Sequence, residues 1–402
     1  MELSALTAIA FLLTVGYLCG RIARYLKLPA LIGYLTAGVL LGPSLFDLFP
    51  ENTLEDLDFI TNLSLGCIAF IIGSELKISS LRRMGTGIVI LIITECLMAF
   101  LLVTAAVYLI SHNLALALLF GGLAPASAPA GTVAVIQEYR AKGKLTKALY
   151  AVVGFDDGLA VIIFSLTLFS VKMLLYPGEG SNPFQLTSLW APFREVIFSL
   201  LLGGIIGFCF NLLIHRLDRN QDTLIAIFMA VFIGTGLSGR WHLSLILTCM
   251  MAGFVLVNTN KDYLVKKVRK PLQDIMELIF VFFFGLAGLH LDISALPAIG
   301  VVGITYVISR TIGKVGGGMT GGILGGMEPK IKKYIGFGIL SQAGVAIGLA
   351  LLASQELARI SGEADLLGAQ VLTVISASSI IFEFIGPLGA KFALTRVDEI
   401  RK

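Results

Sequence analysis

Apolar runs of about 20 residues recur along the whole chain, and that length fits a helix crossing the ~30 Å hydrocarbon core of a membrane. In lipid, backbone groups must bond within the segment or within a closed barrel, so runs this long and this apolar select helices. Hydropathy predicts thirteen spans, at 3–22, 29–46, 57–76, 86–110, 114–137, 147–174, 194–214, 222–237, 243–258, 273–290, 296–317, 331–353 and 365–388. Composition agrees: 56% of the 402 residues are hydrophobic and 14% are charged, against about 25% charged in a soluble domain. The expected fold class is an all-α polytopic membrane protein. The opening "MELSALTAIAFLLTVGYLCG" lacks a basic leader, so it reads as a first span and not as a cleaved signal peptide.

Charge in the connections tests the alternation of these spans. Basic residues gather in every second connection: Arg21, Arg24 and Lys27; Lys77, Arg82 and Arg83; Arg140, Lys142, Lys144 and Lys147; Arg216 and Arg219; Lys261, Lys266, Lys267, Arg269 and Lys270; Lys330, Lys332 and Lys333; and the tail with Lys391, Arg396, Arg401 and Lys402. The other connections keep Lys172, Arg194, Arg240 and Arg359, and the acidic group Asp47, Glu51, Glu55 and Asp56. The positive-inside rule then puts the N-terminus outside and the C-terminus in the cytoplasm. The net charge of +4 is this topological signal and argues for no nucleic-acid partner. The stretch "PGEGSNPFQLTS" (177–188) reads as an outer loop between two halves of six spans, with 194–214 as a connector.

A short list of charges remains inside the apolar runs: Glu75, Glu95, Asp156, Asp157, Glu277, Arg310, Lys314 and Glu383. Ionisable groups at such depth are costly and mark pathways or pairs. Glu75 and Glu277 lie near span ends, where a long side chain reaches the interface. Asp156, Asp157 and Lys314 lie deep. Adjacent helical residues point ~100° apart, so one aspartate can pair with Lys314 while the other faces a wet cavity. The glycines of "GKVGGGMTGG" around Lys314 suit close helix approach. Glu383 reads as a cap near the inner edge or as a partner of Lys391.

Two spans are interrupted. "GGLAPASAPAGTV" (121–133) places Pro125 and Pro129 inside an apolar run, and "GILSQAGVAIGL" (338–349) places Ser341, Gln342 and glycines at the corresponding point of the second half. Broken helices at matching positions of two halves point to a transport site near the midplane. Exposed carbonyls with Ser127 and Thr132 suit a cation beside Asp157. The five cysteines are single and scattered, and the four histidines form no HExxH pattern, so neither set predicts a resident metal or redox group.

These residues resemble the monovalent cation/proton antiporter superfamily, within its bacterial sodium/proton exchangers of NhaA-type fold. The likeness runs through "GRIARYLKLPALIGYLTAGVLLGP" (20–43), "IAFIIGSEL" (68–76), "GFDDGLAVI" (154–162), "ELIFVFFFGLAGLHLD" (277–292) and "TIGKVGGG" (311–318). It implies inverted six-helix repeats with two crossing broken helices. It also implies a homodimer in the cell (inner) membrane, with scaffold helices at about 1–80 and 222–290 and core helices at about 86–174 and 296–390. It implies Asp157 as the residue that binds the transported ion, Asp156 ion-paired with Lys314, and Ser127 and Thr132 as the ion's neighbours. Glu75, Arg310, Gln342 and Glu383 are possible supporting residues. Where many relatives carry Arg-Gly-Glu in the second broken helix, this chain has Gln342-Ala343-Gly344. No cofactor and no soluble regulatory domain are expected.

The function expected is exchange of Na+ (or Li+) for protons, electrogenic through a second proton on Lys314; K+/H+ antiport is the runner-up. A rival from another class is an intramembrane aspartyl protease. Its two acids must face one water, which neighbouring positions on one helix do not do.

Overall fold

The computed structural model describes residues 5–42, 45–46, 48, 51–79, 82, 85–175, 186–217, 219–241, 243–291, 296, 299–358 and 363–400. Most of the expected loop at 177–188 lies outside them, as do Pro43, Asp47, Arg83, His242, Asp292, Arg359, Arg401 and Lys402. The described residues fold as helices: α1 (Ala5–Tyr25), α2 (Ala30–Leu41), α3 (Glu51–Glu75), α4 (Gly87–Ser111), α5 (Leu114–Leu123), α6 (Pro129–Glu138), α7 (Lys144–Leu175), α8 (Leu186–Ile214), α9 (Asn220–Trp241), α10 (Leu245–Thr259), α11 (Asp262–Leu289), α12 (Gly300–Leu324), α13 (Pro329–Tyr334), α14 (Gly344–Ala358) and α15 (Glu363–Arg396), with a 3-10 segment at Ile335–Ile339.

Seven of these are long and apolar enough to cross a membrane, and an eighth span results if α13, the 3-10 segment and α14 count as one bent by 53°. The expected spans 29–46, 57–76 and 243–258 are shorter as apolar helices, at Ala30–Leu41, Phe59–Glu75 and Leu245–Thr259. The ends have local causes. Gly42 adopts an extended backbone before Pro43, where a helical residue would clash with the proline ring. Ser244 caps α10 by accepting from Leu247 N–H at 3.3 Å.

The chain divides into two compact units. The first holds residues 1–83, 133–141 and 195–293. In it glycines bring helix pairs into backbone contact: a Cβ on Gly73 of α3 would fall 1.7 Å from the Met250 carbonyl of α10. Ion pairs tie its helix ends, with Lys77 on Asp262 at 2.6 Å and Arg269 on Glu75 at 3.0 Å. Arg24 pairs with Glu277 and, at 3.5 Å, with Glu138. Glu138 also accepts from Ala30 N–H with both oxygens, at 3.0 and 2.8 Å, capping α2 where it has no side-chain cap of its own.

The second unit holds residues 84–132, 142–194 and 294–402. Its core gathers Phe120, Phe164, Tyr306 and Phe382 with small and aliphatic neighbours from α4, α5, α7, α14 and α15. At the other end of α7, Glu399 accepts from Leu145 N–H, Thr146 N–H and Thr146 Oγ1, each at 2.7 Å, and so satisfies that helix's N-terminal donors.

Candidate functional site

Both interruptions occur where the prolines and glycines placed them. α5 ends at Leu123 and α6 resumes with Pro129 in its first turn, where a missing N–H costs nothing. In the second, the chain passes from the 3-10 segment through Leu340–Ala343 into α14. Helix breaks leave carbonyls and N–H groups without intrahelical partners, and here the two breaks bond to each other. Ala128 N–H donates to Ser341 O at 2.9 Å. Thr132 Oγ1 donates to Gly338 O at 2.7 Å and Ser127 Oγ to Ile339 O at 3.4 Å.

Arg310 of α12 binds what remains. Fully buried, it donates to the carbonyls of Ala124 (3.0 Å), Ala126 (2.8 Å), Leu340 (2.8 Å) and Ser341 (3.5 Å), two in each break. Its guanidinium lies over the Phe382 ring at 4.3 Å. Gln342 adds a parallel tie, hydrogen-bonding the Tyr306 hydroxyl and donating to Leu123 O at 3.2 Å. A neutral amide thus helps to hold the first break.

Lys314 lies one turn beyond Arg310 and is likewise fully buried. Its ammonium donates to Pro125 O at 2.6 Å and Ser127 Oγ at 2.9 Å. The expected ion pair with Asp156 is present, with Oδ2 of α7 at 3.7 Å, and a second acid that the sequence did not assign, Glu95 of α4, lies nearer, with Oε2 at 2.8 Å. Lys314 therefore sits between two acids. The glycines explain the reach. α12 meets α4 along Gly313, Gly317 and Gly321, and a Cβ on Gly317 would fall 2.6 Å from the Cα of Glu95 itself. Glu95 carried a signal in the sequence, its place inside a 25-residue apolar helix, but which basic group it meets is set by a contact between distant segments.

The two aspartates differ as the helical geometry requires. Asp156 is completely buried beside Lys314. Asp157 is 6% exposed and, among the described residues, has no ion pair; the oxygens of both aspartates lack hydrogen-bond partners among the described residues, so the lysine is what tells them apart. Of the remaining expected residues, Glu75 lies in the first unit on Arg269. Glu383 is in the second unit but does not pair with Lys391, which is eight residues and about 12 Å further along the helix; its Oε2 has no partner among the described residues.

Chemically, this is a desolvated cluster of three carboxylates (Glu95, Asp156, Asp157) and two cations, Lys314 on Glu95 and Asp156 and Arg310 on the carbonyls of the breaks. No group of three or more His, Cys, Asp or Glu side chains suited to a metal ion occurs among the described residues.

The chain is similar to known ion exchangers over most of its length. It is 24% identical over 369 residues to the high-affinity Na+/H+ antiporter NhaS3 of Synechocystis sp., covering 82% of this chain and 78% of that one. It is 22% identical over 376 residues to the K+/H+ antiporter subunit KhtU of Bacillus subtilis, covering 92% and 89%. Its fold matches the sodium proton antiporter MjNhaP1 of Methanocaldococcus jannaschii with a TM-score of 0.75 at 18% identity, over 99% of both chains. The model of the family described as "Sodium/hydrogen exchanger, transmembrane" matches residues 9–395. The chain belongs to this sodium/hydrogen exchanger family, and it is a multi-pass membrane cation/proton antiporter, not an enzyme.

Proposed function

We propose that the protein exchanges Na+, and also Li+, for protons by competition at Asp157. The observation that carries this is a buried carboxylate with two unpartnered oxygens and, among the described residues, no ion pair, next to Asp156 and Glu95, which both lie on Lys314. An ionised carboxylate in such a place is stable only with a counter-charge, so proton and cation displace one another. Ser127 and Thr132 stand at the crossing, their hydroxyls already fixed by the second break, and a hydroxyl that donates still offers lone pairs to a cation.

Asp156 and Glu95 together hold Lys314, and Arg310 and Gln342 hold the two breaks in register. K+ as the cation is the second reading, favoured by the similarity to KhtU. The coarser architecture supports a finer one: thirteen spans in inverted six-helix repeats of NhaA-type, since the two breaks bond to each other in the middle of the second unit. In this proposal the second unit is the moving core and the first a scaffold through which two copies dimerise. The N-terminus lies outside and the C-terminus inside the cell membrane, as the basic connections indicate.

Ion flux tests the function. Purified protein in proteoliposomes carrying a pH-sensitive dye in the lumen should alkalinise the lumen on external addition of NaCl or LiCl, and not of choline chloride. A response to K+ but not to Na+ would transfer the reading to K+/H+ exchange, and no cation-coupled proton movement would overturn both.

A further inference from the structure

Glu95 is the one charged residue of α4 and is fully buried. An ionised carboxylate persists in such a place only against a well-held cation. Its Oε2 lies 2.8 Å from Lys314 Nζ, and its Oε1 accepts from the Cys96 thiol at 3.2 Å. An ammonium has three N–H groups and no lone pair. Lys314 gives two of them to the first break, to Pro125 O at 2.6 Å and Ser127 Oγ at 2.9 Å. Its charge is met by Glu95 at 2.8 Å and by Asp156 at 3.7 Å, beyond hydrogen-bond length. The lysine is thus a bridge, with a carboxylate of α4 at one end and the interrupted backbone at the other. Its own backbone is seated on the same helix: a Cβ on Gly313, the preceding residue, would fall 2.8 Å from the Cα of Ala99, one turn along α4 from Glu95.

The bridge ends on Ser127, whose main chain neighbours the Asp157 carboxylate, although neither oxygen of that carboxylate takes a hydrogen bond among the described residues. A hydroxyl has one hydrogen and two lone pairs. Ser127 gives its hydrogen to Ile339 O at 3.4 Å and accepts from Lys314 with one lone pair. A single lone pair is left, and the other two bonds set its direction. We infer that Glu95 is a positioning residue for the exchanged cation: through Lys314 it aims the remaining lone pair of Ser127 at the ion held by Asp157. The inference rests on the Asp157 reading and adds the acid that keeps a neighbour of the ion in place.

The test is the cation dependence of proton movement in proteoliposomes, read as apparent KM and maximal rate for Na+, or for K+ if that is the ion the wild type exchanges. Glu95→Asp keeps the charge and shortens the reach by one methylene. Partners that orient a cation's ligands are typically worth about tenfold or more in affinity, so this variant should raise KM about tenfold with the maximal rate little changed. A pair that served stability alone would lower the melting midpoint and leave KM where it was. Ser127→Ala removes the hydroxyl itself and should raise KM to a similar degree. Glu95→Asp added to Ser127→Ala should then cost nothing further, because residues that act through one group are not additive. If Glu95→Asp does not fold, Glu95→Gln with Lys314→Gln removes both charges together and takes its place in the same comparison. A wild-type KM in that variant, or an effect that adds in full to that of Ser127→Ala, would overturn the inference. The Asp157 reading fails separately, by exchange that persists in Asp157→Asn, and the comparison at Ser127 then still reports what Glu95 does.

Discussion

Asp157 and Glu95 do opposite things with the same functional group. Asp157 keeps both oxygens unpartnered, so its replacement by the near-isosteric asparagine removes charge and leaves packing in place. Asp157→Asn is expected to abolish cation-coupled proton movement in proteoliposomes with an unchanged melting midpoint in choline; wild-type rates would remove Asp157 from the site. Glu95 is bonded to Lys314 with neither side chain exposed. Breaking a buried ion pair from one side strands the other charge, at a cost of about 3–5 kcal/mol. Glu95→Gln should therefore lower stability sharply, although Asp156 still lies 3.7 Å from the lysine. Glu95→Gln with Lys314→Gln should recover part of that loss, because the two effects are coupled. Additive losses in denaturation would show that the two side chains do not act as a pair.

At the scale of elements, the contact of α12 with α4 puts the lysine beside its acids. Gly317 has no room for a side chain, since its Cβ would fall 2.6 Å from the Cα of Glu95, whereas Gly316, one position away, has nothing within 4 Å. A backbone cannot yield as a side-chain tip can, and overpacking typically costs about 1–3 kcal/mol. Gly317→Ala should destabilise the protein and impair exchange, while Gly316→Ala should do neither and gain slightly in helix propensity. Equal melting midpoints for the two variants would mean that the helices part freely and that Lys314 is not held by their approach. The breaks depend on a different device, Arg310, which takes carbonyls from both; lysine there would keep the charge but not the forked set of donors.

For the whole molecule the decisive quantity is charge moved per cycle. With Glu95 counted, the buried charges of this unit near the breaks are three carboxylates against Lys314 and Arg310, so with all five ionised one Na+ or one proton at Asp157 balances them. A second proton, taken from Lys314 as the electrogenic reading requires, would leave a buried negative charge with two carboxylates beside a neutral amine. We therefore propose one-for-one exchange. The reversal point of cation flux, in proteoliposomes clamped with a potassium gradient and valinomycin, should follow the ion gradients and ignore voltage. A shift with membrane potential, worth ≈ 2.3 kcal/mol per charge per 100 mV, would return the second proton to Lys314, and Lys314→Gln should then abolish the shift.

Membrane class, the two helix breaks and the short set of buried charges were legible in the residues because each is a local property. Length and hydropathy set the helices, Pro125, Pro129 and the glycines of 338–349 set the breaks, and a charge in an apolar run announces itself. The divergence of Asp156 and Asp157 followed from helical geometry alone. Who meets whom was not legible. That Lys314 answers to Glu95 more closely than to Asp156, that Arg310 joins both breaks, and that Ser341 packs on Gly386 of α15 all depend on helices far apart in the chain. Their approach is set by which glycines face which backbone, and periodicity marks such a face without naming its partner. Only the packed helices decide that, because a buried charge takes whichever oppositely charged or polar group the neighbouring backbone brings within about 3 Å.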